Sequence, residues 1–387
     1  MQALRLSNQF IASDLMWSTD LNKRIRALEA KQRELEGLLE KVLPSPRQNE
    51  IAGDLDRGLR GLAQRVVGDH PQMSYFNERL RTYEFAILNI KQLGFELGRM
   101  LADTNLQREV KSPPSTVLKS SLCVQSDIES DWFAFWCREM KVAPIYHRKL
   151  WELCYICQAI WTAGKFAPGL TGLGFGCGNE PLPSVFAKYG AYPLATDLDP
   201  SRPEAKDWRE TSQHGDSVEG FRNRDICADE QLLRNITYRP VDMNDIPYDL
   251  DGRFDFCWSS CALEHLGSIE KGLAFMENSL RTLKPGGVAV HTTEFNLEDG
   301  DTIDNWGTVL FQKRHFVEFG GRLRSRGFQV APLEFNPGDQ ILDGFVDIPP
   351  WGHDAVRLSS PAAHLKLCVD GFPCTSIGLI IQAPQAD

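Results

Sequence analysis

The chain has 387 residues, 42% of them hydrophobic and 10% aromatic, with a formal charge of −10. That length and apolar content suffice for two domains, or for one large domain with an appendage. The acidic balance argues against a general electrostatic grip on nucleic acid or an anionic membrane, and no apolar run is long enough to span a bilayer.

Residues 1–110 read as a helical region. Leu21, Ile25, Leu28, Gln32, Leu35, Leu39 and Val42 alternate spacings of four and three, a heptad seam with one polar position. Such a seam can join copies of the chain in a short coiled coil, or fold as an amphipathic helix onto its own domain. Pro44 and Pro46 end it, and helical patterns return over 51–67 and 75–101. The Pro-Pro of "KSPPSTV" marks 111–144 as a linker with a connecting helix.

From 145 to 387 strands and helices alternate. Strands are expected at 169–175, 192–196, 237–241, 254–259, 288–293, 328–333 and 376–382, with helices at 183–189, 269–283 and 314–326. This order predicts a mainly parallel sheet covered on both faces, with a ligand at the carboxyl ends of its strands.

Gly172, Gly174, Gly176 and Gly178 fall at alternate positions of "GLGFGCGNEPLP", where bare backbone can meet a ligand. No frame supplies G-x-G-x-x-G and no Gly-Lys-Ser/Thr follows, so neither a nicotinamide dinucleotide nor a Walker-type phosphate site is expected. Glu180 would repel a pyrophosphate. Asp197, at the end of the second strand, can accept from both hydroxyls of a ribose. A nucleoside with positive charge and no pyrophosphate fits this pattern, and S-adenosylmethionine is such a ligand.

These segments together resemble class I S-adenosylmethionine-dependent methyltransferases over residues 145–387. "GFGCG" is similar to their first motif, "ATDLD" to the acidic end of their second strand, and "RPVDMNDIP" to their adenine-contacting segment. "FDFCWSSCALEHL" resembles the fourth strand with its active-site loop, and "LRTLKPGGVAVHTTEF" the turn into the fifth. The resemblance implies a Rossmann-like, seven-stranded, mainly parallel α/β sheet with helices on both faces and an antiparallel last strand, beside the N-terminal all-α region. It places S-adenosylmethionine against Gly174, Phe175, Gly176, Gly178, Asp197, Leu198, Asp242, Met243 and Ser259. More narrowly, "HRKLWE", "GFGCGNEPLP" and "HLKLCVDGFPCTSIGLII" resemble a bacterial subgroup associated with glycan and polysaccharide biosynthesis. A small molecule with a sugar or glycan hydroxyl is then the expected acceptor.

Two departures stand out. The family's first motif opens on an acidic residue where this chain has Gly174, and Glu180 replaces its last glycine. The ligand's ammonium must find another partner, Glu180 first and Glu152 second. The departures also sustain the alternative of a non-catalytic scaffold that binds S-adenosylmethionine and acts through its helical region.

Methyl transfer is an in-line displacement, and an oxygen nucleophile needs alignment and a base. His265 is the expected base, with Glu264 as its competitor. Glu294 and Asn296, after the fifth strand, are placed to orient substrate hydroxyls. Arg148, in the basic run His147-Arg148-Lys149, can grip the ligand carboxylate in a bidentate pair, and His364 is a candidate for the substrate side.

Cys154 and Cys157 fall on one apolar helix face without further ligands, and Cys257 and Cys261 have the wrong spacing for a metal knuckle. The acidic run "LEDGDTID" could hold a hard cation or be an ordinary solvated loop. No metal site is expected. Ten cysteines without regular spacing, together with no signal-peptide pattern at the start, suit a reducing cytoplasm.

Overall fold

The computed structural model describes residues 66–67, 70–71, 73–202, 214–215, 217–349, 351 and 363–385. The heptad seam at 21–42 lies outside them. The chain divides into two compact units, 1–83 and 84–387. In the first, β1 (Val66–Val67) pairs antiparallel with β2 (His70–Pro71), and α1 (Met73–Asn105) begins. A strand pair thus stands inside the stretch expected to be all-α. The β-branched valines and the proline ring favour extended backbone there.

The second unit starts well before residue 145. Its helix α2 (Gln125–Ile128) and helix α3 (Asp131–Glu139) precede α4 (Arg148–Thr162). Trp132, Phe133 and Trp136 of α3 belong to the same core cluster as Trp151, Tyr155 and Ile156 of α4, so 111–144 contributes packed structure as well as connection. Trp136 Nε1 donates to Gln158 Oε1 at 2.8 Å, giving the buried amide a partner.

The central sheet is built from β4 (Thr171–Phe175), β5 (Tyr192–Asp197), β6 (Thr237–Pro240), β7 (Phe254–Ser260) and β8 (Leu283–Asn296), all mutually parallel. Antiparallel β13 (Phe372–Gln382) follows β8 along its length. Beyond it lie β12 (Lys366–Val369) and β11 (Val346–Asp347), while β9 (Gln329–Val330) also pairs with β13. The order is β11–β12–β13–β8–β7–β4–β5–β6, with β9 off the path.

Among the described residues this is nine strands where seven are expected. β9 and β11 have two residues each, too short to show a period in sequence. The single strand expected at 328–333 is broken: β9 joins the main sheet, and β10 (Leu333–Glu334) pairs instead with β3 (Ser120–Ser121). Helices α5 (Leu182–Lys188), α6 (Glu230–Leu233), α7 (Ile269–Ser279) and α8 (Lys313–Ser325) complete the layers.

Strand alternation explains half of the glycine cluster. Leu173 and Phe175 point to the face that carries Phe275, with Phe175 and Phe275 edge to face at 5.2 Å. Gly172 and Gly174 point to the other, under the rings of Phe256 and Trp258, and a Cβ at either would collide with those rings. The strand order reverses at β4, with β5 on one side and β7 on the other. That is the switch point where an open α/β sheet leaves a crevice.

Candidate functional site

After β4 the chain turns at Gly176, φ +57°, and Gly178, φ +52°. Both are in the left-handed region that disfavours a Cβ. At Gly176 the space is also taken, since a Cβ would stand 2.8 Å from Ala262 Cβ and 3.2 Å from Met243 Sδ. The four glycines therefore divide: two admit core rings and two shape the turn.

Beside this turn, the end of β5 and the loop after β7 enclose a cleft of about 860 Å³. Its walls include Gly176, Gly178, Glu180, Asp197, Leu198, Asp242, Met243 and His265. Lys149, Ser260, Cys261 and Ala262 line it as well.

Asp197 organises the floor. Its Oδ2 accepts from the Gly178 N–H at 3.0 Å and the Gly215 N–H at 2.9 Å, and Oδ1 from the Leu198 N–H at 2.7 Å. The carboxylate thus ties the glycine turn to the loop after β5. Asp242 is half-buried and caps its own turn, accepting from Asn244 N–H at 2.8 Å, with Arg202 at 3.8 Å. Met243 is buried against the turn.

Glu180 accepts from Trp258 Nε1 at 2.5 Å. Burial outweighs this bond and pushes its carboxyl up to about 8. His265 is mostly buried, and its Nδ1 lies 3.0 Å from the Gly307 carbonyl. A carbonyl can only accept, so Nδ1 donates to it, with Thr308 Oγ1 at 3.2 Å from the same nitrogen and Glu264 Oε1 3.9 Å from Nε2.

The remaining expected site residues stand elsewhere. Gly174 lies beneath Trp258, and Phe175 is in the core. Ser259 is fully buried and bonds His291 Nδ1 at 2.8 Å, because a strand turns successive residues to opposite faces; Ser260 is the serine on the cleft. Arg148 points into the protein. Its terminal nitrogens meet Glu294, Ser376 Oγ at 3.1 Å, Glu152 Oε1 at 3.4 Å and Cys261 Sγ at 3.5 Å, so the bidentate grip on a ligand is replaced by an internal one. Glu294 is the other half of that ion pair, and the guanidinium holds its carboxyl below the usual range.

Glu264 is wholly buried, with Oε2 taking the Thr293 hydroxyl at 2.9 Å. Glu152 is also buried and accepts from Ser376 Oγ at 2.5 Å and Thr292 Oγ1 at 2.9 Å. Asn296 turns its amide to Asp301 and Thr302. His364 stacks on His147 at 4.8 Å and bonds Asp347 at 2.7 Å, and it is not among the residues lining the cleft.

Cys154 and Cys157 are buried, as their helical spacing predicts. In the acidic run, Asp304 accepts from the Ile269 N–H at 2.8 Å at the start of α7, where Ser268 is the N-cap. Two signals missed in the sequence are the strand parity that selects Ser260 and the left-handed backbone of Cys261, φ +48°. Burial, Glu152 and Glu264 push the Cys261 thiol well above its ordinary range.

Residues 173–291 match the family model described as a methyltransferase domain. The match supports a class I S-adenosylmethionine-dependent methyltransferase, and the cofactor is S-adenosylmethionine. No protein of curated function matches the sequence. Among solved structures, one from Galdieria sulphuraria described as a sarcosine dimethylglycine methyltransferase aligns at 15% identity and TM-score 0.37, covering 66% of this chain and 99% of that one. The 1,6-didemethyltoxoflavin-N1-methyltransferase of Burkholderia thailandensis aligns at 13% identity and TM-score 0.33, covering 59% and 76%. An S-adenosylmethionine-dependent methyltransferase from Mesorhizobium loti aligns at 18% identity and TM-score 0.33, covering 58% and 95%. Likeness at this level assigns no acceptor.

Proposed function

We propose that the protein transfers the methyl group of S-adenosylmethionine to a small polar acceptor, by preference a hydroxyl of a sugar or glycan precursor. The observation that carries the reading is the cleft at the sheet's switch point, where a side-chain-free turn at Gly176 and Gly178 meets the carboxylate of Asp197. In this reading Asp197 receives the ribose hydroxyls, Asp242 and Met243 frame the adenine, Leu198 packs beside it, and the glycine turn admits the amino-acid tail. Glu180 answers the ammonium. The preference for a sugar rests on the resemblance of the glycine turn and the "HRKLWE" and "HLKL" segments to the glycan-associated subgroup.

The chemistry asked of the protein is limited, because the sulfonium already activates the methyl carbon. The acceptor oxygen attacks that carbon in line, the carbon–sulfur bond breaks, and its electron pair goes to sulfur to leave S-adenosylhomocysteine. The hydroxyl proton passes to His265 Nε2, the ring nitrogen not bonded to the Gly307 carbonyl. Glu264 and Glu294 act behind the cleft wall, since Thr293 and Arg148 hold them there.

Incubation with labelled S-adenosylmethionine and nucleotide sugars or glycans, followed by mass spectrometry, tests the reading. The expected product gains one methyl group, and His265→Ala lowers kcat while cofactor affinity is retained. Cofactor binding with no methyl transfer to any hydroxyl acceptor overturns it and leaves the scaffold.

A further inference from the structure

Glu264 holds a buried acceptor atom that makes no hydrogen bond and faces His265 Nε2 at 3.9 Å. Its side chain has no exposure, Oε2 is bonded to Thr293, and Oε1 has no hydrogen-bond partner. Leaving a buried polar atom unsatisfied costs on the order of 1–3 kcal/mol, and more for a charged group. An oxygen of Glu264, an oxygen of Glu294 and Cys261 Sγ all lie within 4.8 Å of one another, and the three residues are buried.

Glu152 adds a third buried carboxyl group here, and Arg148, Lys149 and His265 stand among the three.

We propose that Cys261, Glu264 and Glu294 form a binding site for a divalent transition-metal ion of the zinc type, set into the wall of the cleft. Its donor set of one sulfur and two oxygens decides the class of ion. Magnesium and calcium take oxygen ligands alone, whereas zinc accepts thiolate and carboxylate together. Each ligand is already oriented from behind. Thr293 fixes one oxygen of Glu264, while Arg148 holds one oxygen of Glu294 and donates to Cys261 Sγ at 3.5 Å. Cys261 is held by its N–H to the Thr292 carbonyl at 3.0 Å, in a left-handed backbone that a non-glycine residue rarely adopts.

Tetrahedral ligands around zinc stand roughly 3.3–3.8 Å apart, so these atoms need close by only about 1 Å, within reach of side-chain rotation. Binding expels the thiol proton to solvent as the sulfur–metal bond forms. Three protein ligands leave a fourth position, and Cys261 is on the cleft wall, so a polar group entering the cleft can complete the shell. The site does not depend on the methyl-transfer reading.

The test uses the full chain, stripped with a chelator, titrated with zinc chloride and desalted before elemental analysis. One equivalent of zinc is expected to remain, with no competition from a large excess of magnesium. Cobalt in place of zinc should show a thiolate-to-cobalt charge-transfer band. Cys261→Ser and Glu264→Gln should each weaken zinc binding at least about 100-fold, and Cys261→Ser should abolish the band. Cys257→Ala, on the neighbouring buried strand, should keep both. Each variant is checked by circular dichroism, and Cys261→Ser stands alone if Glu264→Gln does not fold. Loss of zinc from the wild type on desalting, or equal retention by Cys261→Ser, overturns the site.

Discussion

Trp258 Nε1 donates to Glu180 Oε1 at 2.5 Å while the same indole covers Gly174. One ring therefore covers Gly174 and anchors the carboxylate that stands four residues past the turn's first glycine. The indole thus couples the packing over β4 to the carboxylate beside the turn.

If Glu180 meets the ammonium as proposed, cofactor binding should carry its pH signature. An ordinary glutamate ionises near 4.5, whereas here burial holds the proton to about 8. Over that window the unfolded chain is ionised and the folded chain is protonated, so this group withdraws stability as pH rises from 4.5 to 8 and adds no further change above it. A cationic ligand beside Glu180 reverses the preference, because it favours the carboxylate. S-adenosylmethionine affinity should then rise with pH, by up to about tenfold per unit below the folded pKa, and level off above it. Glu180→Gln keeps an acceptor for Trp258 and should give a flat profile. Calorimetry from pH 6.5 to 8.5 checks both, and parallel profiles would remove Glu180 from the cofactor.

The two pairs of glycines predict separable defects. Gly174→Ala must displace the Trp258 ring and should cost about 1–3 kcal/mol of stability, as overpacking of a filled core does. Gly176→Ala meets Ala262 and Met243 and strains a backbone at φ +57°, so its cost falls on the cleft. Thermal melting with cofactor titration should show the first variant losing mainly Tm and the second mainly affinity. Equal losses in both measurements would show that the division between core and turn is wrong.

What the sequence discloses of this site follows from range and parity. The turn at Gly176 and Gly178, Asp197 closing it, and Asp242-Met243 across it are local patterns, and all of them line the cleft. Phe175 and Ser259 miss it by one residue, because the hydrophobic runs of β4 and β7 are buried on both faces and show no alternation to fix parity. Arg148 and Glu294 are 146 positions apart, and nothing local says that their charges satisfy each other. The short edge strands β9 and β11 carry no period at all, and β13 supplies the long antiparallel neighbour that β8 needs.

Asp197 should behave as a structural tie as well as a ligand group. Its three backbone N–H partners at 2.7–3.0 Å are charge-assisted bonds that hold the glycine turn to the loop after β5. Asp197→Ala removes all three acceptors at once. It is expected to lower Tm and to weaken S-adenosylmethionine binding by about 100-fold or more, given roughly 1.5–3 kcal/mol for a bond to a charged group. Asp197→Asn retains one carbonyl oxygen and should fall between the two. If Asp197→Ala binds the cofactor like the wild type, the ribose assignment fails, whatever the change in Tm.

The neighbouring serines of β7 give the most direct check of which face meets the ligand. Ser259 Oγ lies 2.8 Å from His291 Nδ1, and His291 Nε2 lies 3.0 Å from Ser279 Oγ, all three residues fully buried. Burial pushes His291 down to about 3, so the ring is neutral at any working pH and one hydroxyl donates to it while the other accepts. Ser259→Ala leaves a buried nitrogen without its partner and should destabilise by about 1–3 kcal/mol, with kcat and cofactor affinity unchanged. Ser260 lies on the cleft, its hydroxyl 3.4 Å from Glu152 Oε2, and loses little packing when shortened. Ser260→Ala should therefore leave Tm within about 1 °C of the wild type, as a minor loss in a domain of this size would, while shifting cofactor or acceptor affinity. Chemical denaturation paired with ligand titration reads both serines. A ligand effect at Ser259 without one at Ser260 would mean that the strand presents its other face to the cofactor.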